Sequence, residues 1–169
     1  MINKKLLKPC DVLLFRTTHR STIVDRAIVW GQKTFYHAPK NARYCHVALV
    51  DRNTDLMLEA VWPKTHITPI DFSTYKEREQ IEVYRVKDIT EEQIDATLKW
   101  AYNHVDEWYD VPLLLTGWID IKHAEVCSTY VSHSFEGAGL EIPSGSKGKR
   151  IVLPDDYYCD ILKLEHIIM

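Results

Sequence analysis

The sequence predicts one domain of the α+β class, because strands and helices are mixed without the strict alternation that a doubly wound parallel sheet requires. The 169 residues fit a single domain, 1–169, that can bury a core without a metal or a disulfide. Hydrophobic residues make up 46% of the chain and charged residues 27%, which is typical of globular proteins and excludes a disordered or fibrous chain.

Five short apolar runs, bounded by proline or polar residues, predict the β-structure. These runs are Asp11–Arg16, Cys45–Asp51, Leu56–Val61, Thr65–Ile70 and Gln80–Val86. The turn-forming residues 51–54 separate the second run from the third, so these two strands are predicted to form a hairpin.

Three segments have the residue spacing of helices. Ser21–Trp30 places apolar residues on one face, with its serine as the N-cap. Thr90 and Gln93 form a capping box at the start of a long helix. A second long helix is predicted over Glu125–Phe135. It is followed by two glycines that can take left-handed conformations, Gly137 and Gly139.

Charge and hydropathy exclude several classes of function. Lys and Arg number 21 against 24 Asp and Glu, a net charge of −3, so no basic field predicts binding to nucleic acid. No apolar run approaches the roughly 20 residues of a membrane span. The basic N-terminus lacks the apolar stretch of an export signal, which predicts a cytoplasmic protein with reduced thiols. Its four cysteines are too widely spaced for a zinc ribbon or a redox pair: Cys10, Cys45, Cys127 and Cys159.

Cys127 is the first candidate for chemistry because it lies at the start of a predicted helix. Backbone N–H groups and the helix dipole at that end stabilise a thiolate and bind a developing oxyanion. The alternative is a buried structural cysteine. His46, in the second strand, is the predicted partner. His133 is turned away from Cys127 on the same helix, whereas His123 remains a rival to His46.

Glu59 is predicted to orient His46 through the hairpin. A loop of two or four residues pairs Val47 with Leu58 on the buried face and His46 with Glu59 on the other. A carboxylate in that position holds the imidazole in one tautomer and stabilises its charged form. A three-residue loop would break this pairing.

A zinc site is the competing chemical interpretation. The usable ligand types are Cys45, His46, Cys127 and Cys159. Adjacent residues of a strand point to opposite faces, so Cys45 and His46 are poorly placed to share an ion. No glycine-rich phosphate loop is present either. We therefore predict neither a metal nor a cofactor.

Six segments, in order along nearly the whole chain, resemble the permuted papain-like cysteine hydrolases, the YiiX/YaeF-like branch of the NlpC-type superfamily. They are Lys8–Arg16, Tyr44–Val50, Leu58–Ala60, Trp108–Asp110, Val126–Val131 and Val152–Asp155. In this family the strand histidine and the acidic residue precede the cysteine helix, which is the order His46, Glu59, Cys127.

The resemblance implies that Cys127 is the nucleophile, that His46 is the general base and that Glu59 orients it. It also implies a circularly permuted papain-like fold, with a small antiparallel, partly barrel-like sheet and the Cys127 helix packed against it. Two positions depart from the family pattern. Cys45 replaces a serine that often precedes the histidine, and Thr129 replaces an acidic residue that often follows the Cys-Ser pair.

The implied activity is that of a thiol hydrolase or acyltransferase, which cleaves an amide or related acyl bond through a thioester. Cell-wall peptides are the substrates most associated with the superfamily, and lipid amides and esters occur in related branches. A cytoplasmic chain would meet wall peptides as recycled fragments, or after lysis if it is phage-encoded. The alternative is a catalytically inactive binding module that retains the same cleft.

Overall fold

The computed structural model describes residues 4–18, 30, 43–72, 79–110, 124–146, 152–160 and 163–167. The predicted helix at Ser21–Trp30 lies outside these ranges apart from Trp30. Among the described residues, no helix combines the length and the apolar character that crossing a membrane requires.

Within these ranges the chain is α+β, as predicted. A 3₁₀ turn at Lys4–Leu6 precedes the first strand. The strands are β1 (Val12–Thr17), β2 (Tyr44–Val50), β3 (Leu56–Val61), β4 (Lys64–Pro69), β5 (Glu79–Val86), β6 (Trp108–Tyr109), β7 (Ala124–Glu125) and β8 (Leu164–Ile167). The helices are α1 (Glu91–Asn103), α2 (Cys127–Glu136) and α3 (Pro154–Cys159). The five predicted strands are confirmed to within one residue at each end.

All eight strands belong to one sheet, in the order β7-β6-β4-β3-β2-β1-β5-β8. Neighbouring strands are antiparallel except β6 and β7, which run parallel. In the described part of the chain the sheet is open, with β7 and β8 at its edges. The expected closure toward a barrel is not seen there, and the sheet is larger than the small one expected.

Both faces of the central strands are buried, because side chains alternate between the faces of a sheet and apolar residues occupy both sets of positions. On one face, Leu14, Val47 and Leu58 pack with residues of α1 and α2. On the other face, Phe15 and Val50 belong to a second apolar cluster. Helices α1 and α2 therefore cover the first of these faces, and the start of α2 lies against β2 and β3.

The predicted register of the β2–β3 hairpin is wrong by two residues. Leu49 pairs with Leu58 and Val50 pairs with Met57, and the Asp51 N–H donates to the Leu56 carbonyl over 3.0 Å in the same register. The loop therefore has four residues, 52–55, and is centred between Asn53 and Thr54, one residue later than predicted. The physical reason is Asp51, a buried carboxylate that accepts hydrogen bonds from the Tyr102 hydroxyl and from the backbone N–H of the next residue. A shift of two residues preserves the face that each side chain occupies.

A β-bulge lies immediately before His46. His46 pairs with Phe15 of β1, whereas Tyr44 pairs with Arg16, so Cys45 has no opposite residue. Bulges bend a strand and redirect its side chains. This bulge is consistent with Tyr44 and Val47, which are three residues apart, packing in the same cluster.

The helix ends match the sequence patterns in part. At α1, Gln93 N–H donates to Thr90 Oγ1 over 3.3 Å and Thr90 N–H donates to Gln93 Oε1 over 3.0 Å, which confirms the capping box. Helix α2 begins at Cys127 rather than at Glu125, because Glu125 belongs to β7. Gly139 is left-handed as predicted, with φ 73°. Gly137 is not, because it continues the helix with φ −58°.

Gly137 is instead required by close packing between α1 and α2. A Cβ added there would lie 2.7 Å from Cδ1 of Trp100. We expect Gly137→Ala to lower the free energy of unfolding by about 1–3 kcal/mol, because Trp100 or the helix must move. Gly139→Asn is the control, since asparagine tolerates a left-handed backbone and the site is open. Equal stability of the two variants in chemical denaturation would contradict this explanation.

Candidate active site

The start of helix α2 places the Cys127 thiol against the sheet. Val126, in extended conformation, precedes the helix, and its N–H donates to Thr129 Oγ1 over 3.1 Å. Thr129 thus supplies the half of a capping box that glutamate or glutamine usually supplies. The Cys127 side chain is buried, with the residue only 6% exposed. The departure at Thr129 therefore preserves the geometry of the helix start.

The Cys127 sulfur lies where β2 and β3 separate. β3 pairs with β4 along its whole length, but its ladder with β2 contains only the pairs made by Leu49 and Val50. Val50 N–H donates to Asp11 of the segment before β1, so the N–H groups of Leu49 and Val47 face β3. Beyond Leu49 the β2–β3 ladder ends, and the backbone N–H groups of Val47 and Ser128 lie close enough to the Cys127 thiol to lower its pKa.

His46 connects Cys127 to Glu59. On one side the imidazole lies close enough to Cys127 for each group to shift the pKa of the other. On the other side its Nε2 lies 2.7 Å from Glu59 Oε2, which leaves Nδ1 to face the sulfur. The ring is packed against Phe15, with centroids 5.0 Å apart. The predicted hydrogen bond between His46 and Glu59 is therefore confirmed.

The route by which this bond forms differs from the prediction. Continuing the observed register places Glu59 opposite Ala48 rather than opposite His46. The two side chains share a face and meet diagonally, at a Cβ separation that is typically 7–8 Å and within reach of long side chains. The predicted register differs from the observed one by two residues, which leaves His46 and Glu59 on the same face of the sheet. Their hydrogen bond therefore forms despite the difference.

Glu59 is a buried carboxylate with several partners. Its side chain is 5% exposed. The Thr68 hydroxyl donates a hydrogen bond to Oε1. The Nε2 atom of His66, directly opposite Glu59 on β4, lies 3.8 Å from the same oxygen. Each carboxylate oxygen therefore has a polar partner, and the carboxylate cannot rotate freely.

These contacts shift the pKa of Cys127, His46 and Glu59 in the directions that favour their charged forms. Burial alone raises the pKa of the Cys127 thiol, but the hydrogen bond and charge of His46 and the two backbone N–H groups lower it overall. Burial alone lowers the pKa of His46, but Cys127 and then Glu59 raise it to about 10. The pKa of Glu59 is lowered, because its bonds with His46 and Thr68 outweigh burial. All three shifts therefore favour the charged forms, a thiolate, an imidazolium and a carboxylate.

Tyr109 is a fourth member of the site that sequence reasoning did not single out. It lies on β6, and its hydroxyl is close enough to Cys127 for that group to affect its pKa. Burial and then Cys127 raise the pKa of Tyr109 well above the ordinary value, so the hydroxyl stays protonated and can donate a hydrogen bond. The only signal in the sequence was its place in the segment Trp108–Asp110, because strand β6 is too short to give a periodic pattern.

The beginning of α2 is anchored from behind by the segment leading into α3. The Ser128 hydroxyl donates to the Val152 carbonyl over 2.5 Å, and the Tyr157 hydroxyl donates to the Ser128 carbonyl over 2.7 Å. Asp155 of α3 accepts the backbone N–H of Tyr44 at 3.2 Å. Helix α3 therefore holds together the two elements that carry Cys127 and His46.

The other candidate residues lie elsewhere. Cys10 and Cys45 are buried, and burial raises the pKa of Cys10 to about 12. His133 pairs with Glu125, with Nδ1 and Oε1 2.9 Å apart. His123 and the Cys159 side chain lie outside the described residues, so the structure does not compare His123 with His46. Within the described ranges, no group of three His, Cys, Asp or Glu side chains is arranged to hold a metal ion.

Comparisons with known proteins do not assign the chain to a family. No protein-family model matches the sequence, and no curated protein gives a significant match.

We expect the charge of His46 to depend on both of its partners. In the Cys127→Ser variant the thiolate is lost, so the pKa of His46 should fall by more than about one unit. Glu59→Gln should also lower it, because the imidazolium then loses its carboxylate. The measurement is an NMR titration of the imidazole Cε1–H, with His46→Gln to identify the resonance. An unchanged titration in both variants would contradict the described contacts.

Proposed function

We propose that the protein is a thiol hydrolase or acyltransferase acting on an amide or related acyl bond. The observation that supports this most directly is the alignment of Cys127, His46 and Glu59: His46 Nε2 lies 2.7 Å from Glu59 Oε2, and His46 and Cys127 are close enough to shift each other's pKa. A nucleophile, a base and a group that orients the base are the parts that covalent acyl transfer requires. In this proposal they are Cys127, His46 and Glu59 in that order.

The reaction proceeds in two stages. The Cys127 thiolate attacks the carbonyl carbon of the substrate and forms a tetrahedral oxyanion. When this intermediate collapses, the bond to the leaving group breaks and the His46 imidazolium gives its proton to the departing amine or alcohol, which leaves a thioester on Cys127. His46 then removes a proton from water, or from another acceptor, as that molecule attacks the thioester and releases the thiolate.

The oxyanion requires hydrogen-bond donors close to the sulfur. Two groups close to the Cys127 thiol meet this requirement: the backbone N–H of Ser128 at the start of α2 and the Tyr109 hydroxyl. The helix dipole adds positive potential at the same end of α2. We assign oxyanion stabilisation to these donors, with Tyr109 as the side-chain member.

The order of the site residues and the resemblance described above support a permuted papain-like fold of the NlpC type. That fold, together with the α+β sheet, favours peptide or acyl-amide substrates, such as cell-wall fragments or lipid amides. A cytoplasmic location remains part of the proposal. No metal or cofactor takes part in the steps above.

A binding module with the same cleft but no turnover is the second candidate. The observation that favours it is the low exposure of Cys127, which is 6% accessible beside the 19% accessible side chain of His46. Because the Cys127 thiol is so little exposed, a substrate can reach it only through a narrow opening in the surface. The two candidates differ in whether Cys127 reacts with electrophiles.

We expect iodoacetamide to alkylate Cys127 selectively at about pH 6, where an ordinary thiol of pKa about 8.5 is almost wholly protonated. Cys10 is the internal control, because burial raises its pKa to about 12. Peptide mass spectrometry of the native protein reports which cysteine is labelled first. The Cys127→Ala variant should fold normally and show no hydrolysis of acyl-amide or thioester probes.

If Cys127 reacts no faster than Cys10 or Cys45 at this pH, the hydrolase proposal is wrong. Rapid alkylation without turnover of any acyl probe would instead favour the binding module.

A further inference from the structure

A second histidine contacts the carboxylate that orients His46. Glu59 and His66 are directly opposite in the β3–β4 ladder, and His66 Nε2 lies 3.8 Å from Glu59 Oε1. His46 contacts the other oxygen, Oε2. The Glu59 carboxylate therefore lies between two imidazoles, a half-buried one that faces Cys127 and one that is 37% exposed.

The hydrogen bonds of His66 determine what its two charge states do. Nδ1 lies 2.8 Å from the carbonyl oxygen of Lys64, so Nδ1 carries a proton and donates to that oxygen. In the neutral ring Nε2 is then a bare lone pair aimed at a carboxylate oxygen. In the protonated ring Nε2–H faces Glu59 as a cation. Only the protonated form of His66 stabilises the ionised carboxylate.

We propose that His66 is a positioning residue that keeps Glu59 ionised in acid, and that it thereby extends the reactive range of Cys127 to lower pH. This inference rests on the proposed function, because it assumes that the Cys127–His46 pair is the reactive group. His66 acts through Glu59 and does not touch the sulfur.

The charged groups around His66 support a direct effect on Glu59. On the neighbouring strand β3, the charged residue that faces His66 is Glu59. On β4 itself, Lys64 lies on the same face as His66, and the Lys64 Nζ lies 5.1 Å from the centroid of the Trp108 ring. On the other neighbouring strand, β6, the residue paired with Lys64 is the uncharged Trp108. His46 lies beyond Glu59. The charge of His66 consequently lowers the pKa of Glu59, in the same direction as the charge of His46.

The sign of the effect on reactivity follows from these positions. In acid, protonated His66 opposes protonation of Glu59, so the bond that orients His46 persists to lower pH. The same positive charge offsets the repulsion between the Glu59 carboxylate and the Cys127 thiolate. Both effects favour the thiolate while His66 is protonated, and both vanish when His66 is neutral.

The test is the pH dependence of Cys127 alkylation by iodoacetamide, which requires no knowledge of the substrate. In His66→Gln we expect the acid limb to move up by about half a pH unit, a loss of rate of about threefold at a given pH on that limb. The difference between the two rates should disappear at the pH where His66 of the wild type has lost its proton. His66→Arg, which keeps a permanent cation, should restore the acid limb.

His166→Gln is the matched control, because His166 is half-exposed on β8 and lies 4.0 Å from Glu82, away from the site. Its profile should match that of the wild type. An acid limb in His66→Gln identical to that of the wild type would overturn the inference and leave the proposed function intact. If Cys127 of the wild type titrates as an ordinary thiol, the proposed function fails and this inference fails with it.

Discussion

The end of the β2–β3 ladder at Leu49 determines where the chemistry of this protein can occur. In a complete ladder, the Val47 N–H would donate to a carbonyl of β3. Because the ladder stops at Leu49, that N–H is left close to the Cys127 thiol at the start of α2, where it lowers the pKa of the thiol. Helix α2 must then sit with its first turn over the opening in the sheet, where His46 is also within reach. Packing of α3 against both elements maintains this arrangement.

The three titratable groups of the site depend on one another. Cys127 is largely buried, yet its pKa is lowered by His46, and the pKa of His46 is raised by Cys127 and Glu59. Removing one group therefore changes the charge of the others, and the effects of single substitutions are not expected to add. Tyr109 is neutral, so it provides a hydrogen-bond donor without adding a fourth charge.

Much of this arrangement follows from local patterns in the sequence, and the remainder depends on tertiary packing. The strand bounds and the placement of His46 and Glu59 on one face were predictable from the periodicity of the sequence, and the capping box of α1 from its Thr90 and Gln93 motif. The hairpin register was not predictable, because it depends on a tertiary hydrogen bond between the buried Asp51 carboxylate and the Tyr102 hydroxyl. The roles of Tyr109 and of the Val47 N–H were also hidden, since no sequence pattern marks a two-residue strand or an interrupted ladder.

The ultraviolet absorbance of the thiolate, measured against pH, tests the central claim most directly. The difference between the wild type and Cys127→Ser isolates the signal of one sulfur. A thiolate stabilised by His46 and two backbone N–H groups should give this signal already at about pH 6, and His46→Gln should remove it. If the signal appears only near the ordinary thiol pKa of about 8.5, and does so equally in His46→Gln, Cys127 is not activated by its surroundings.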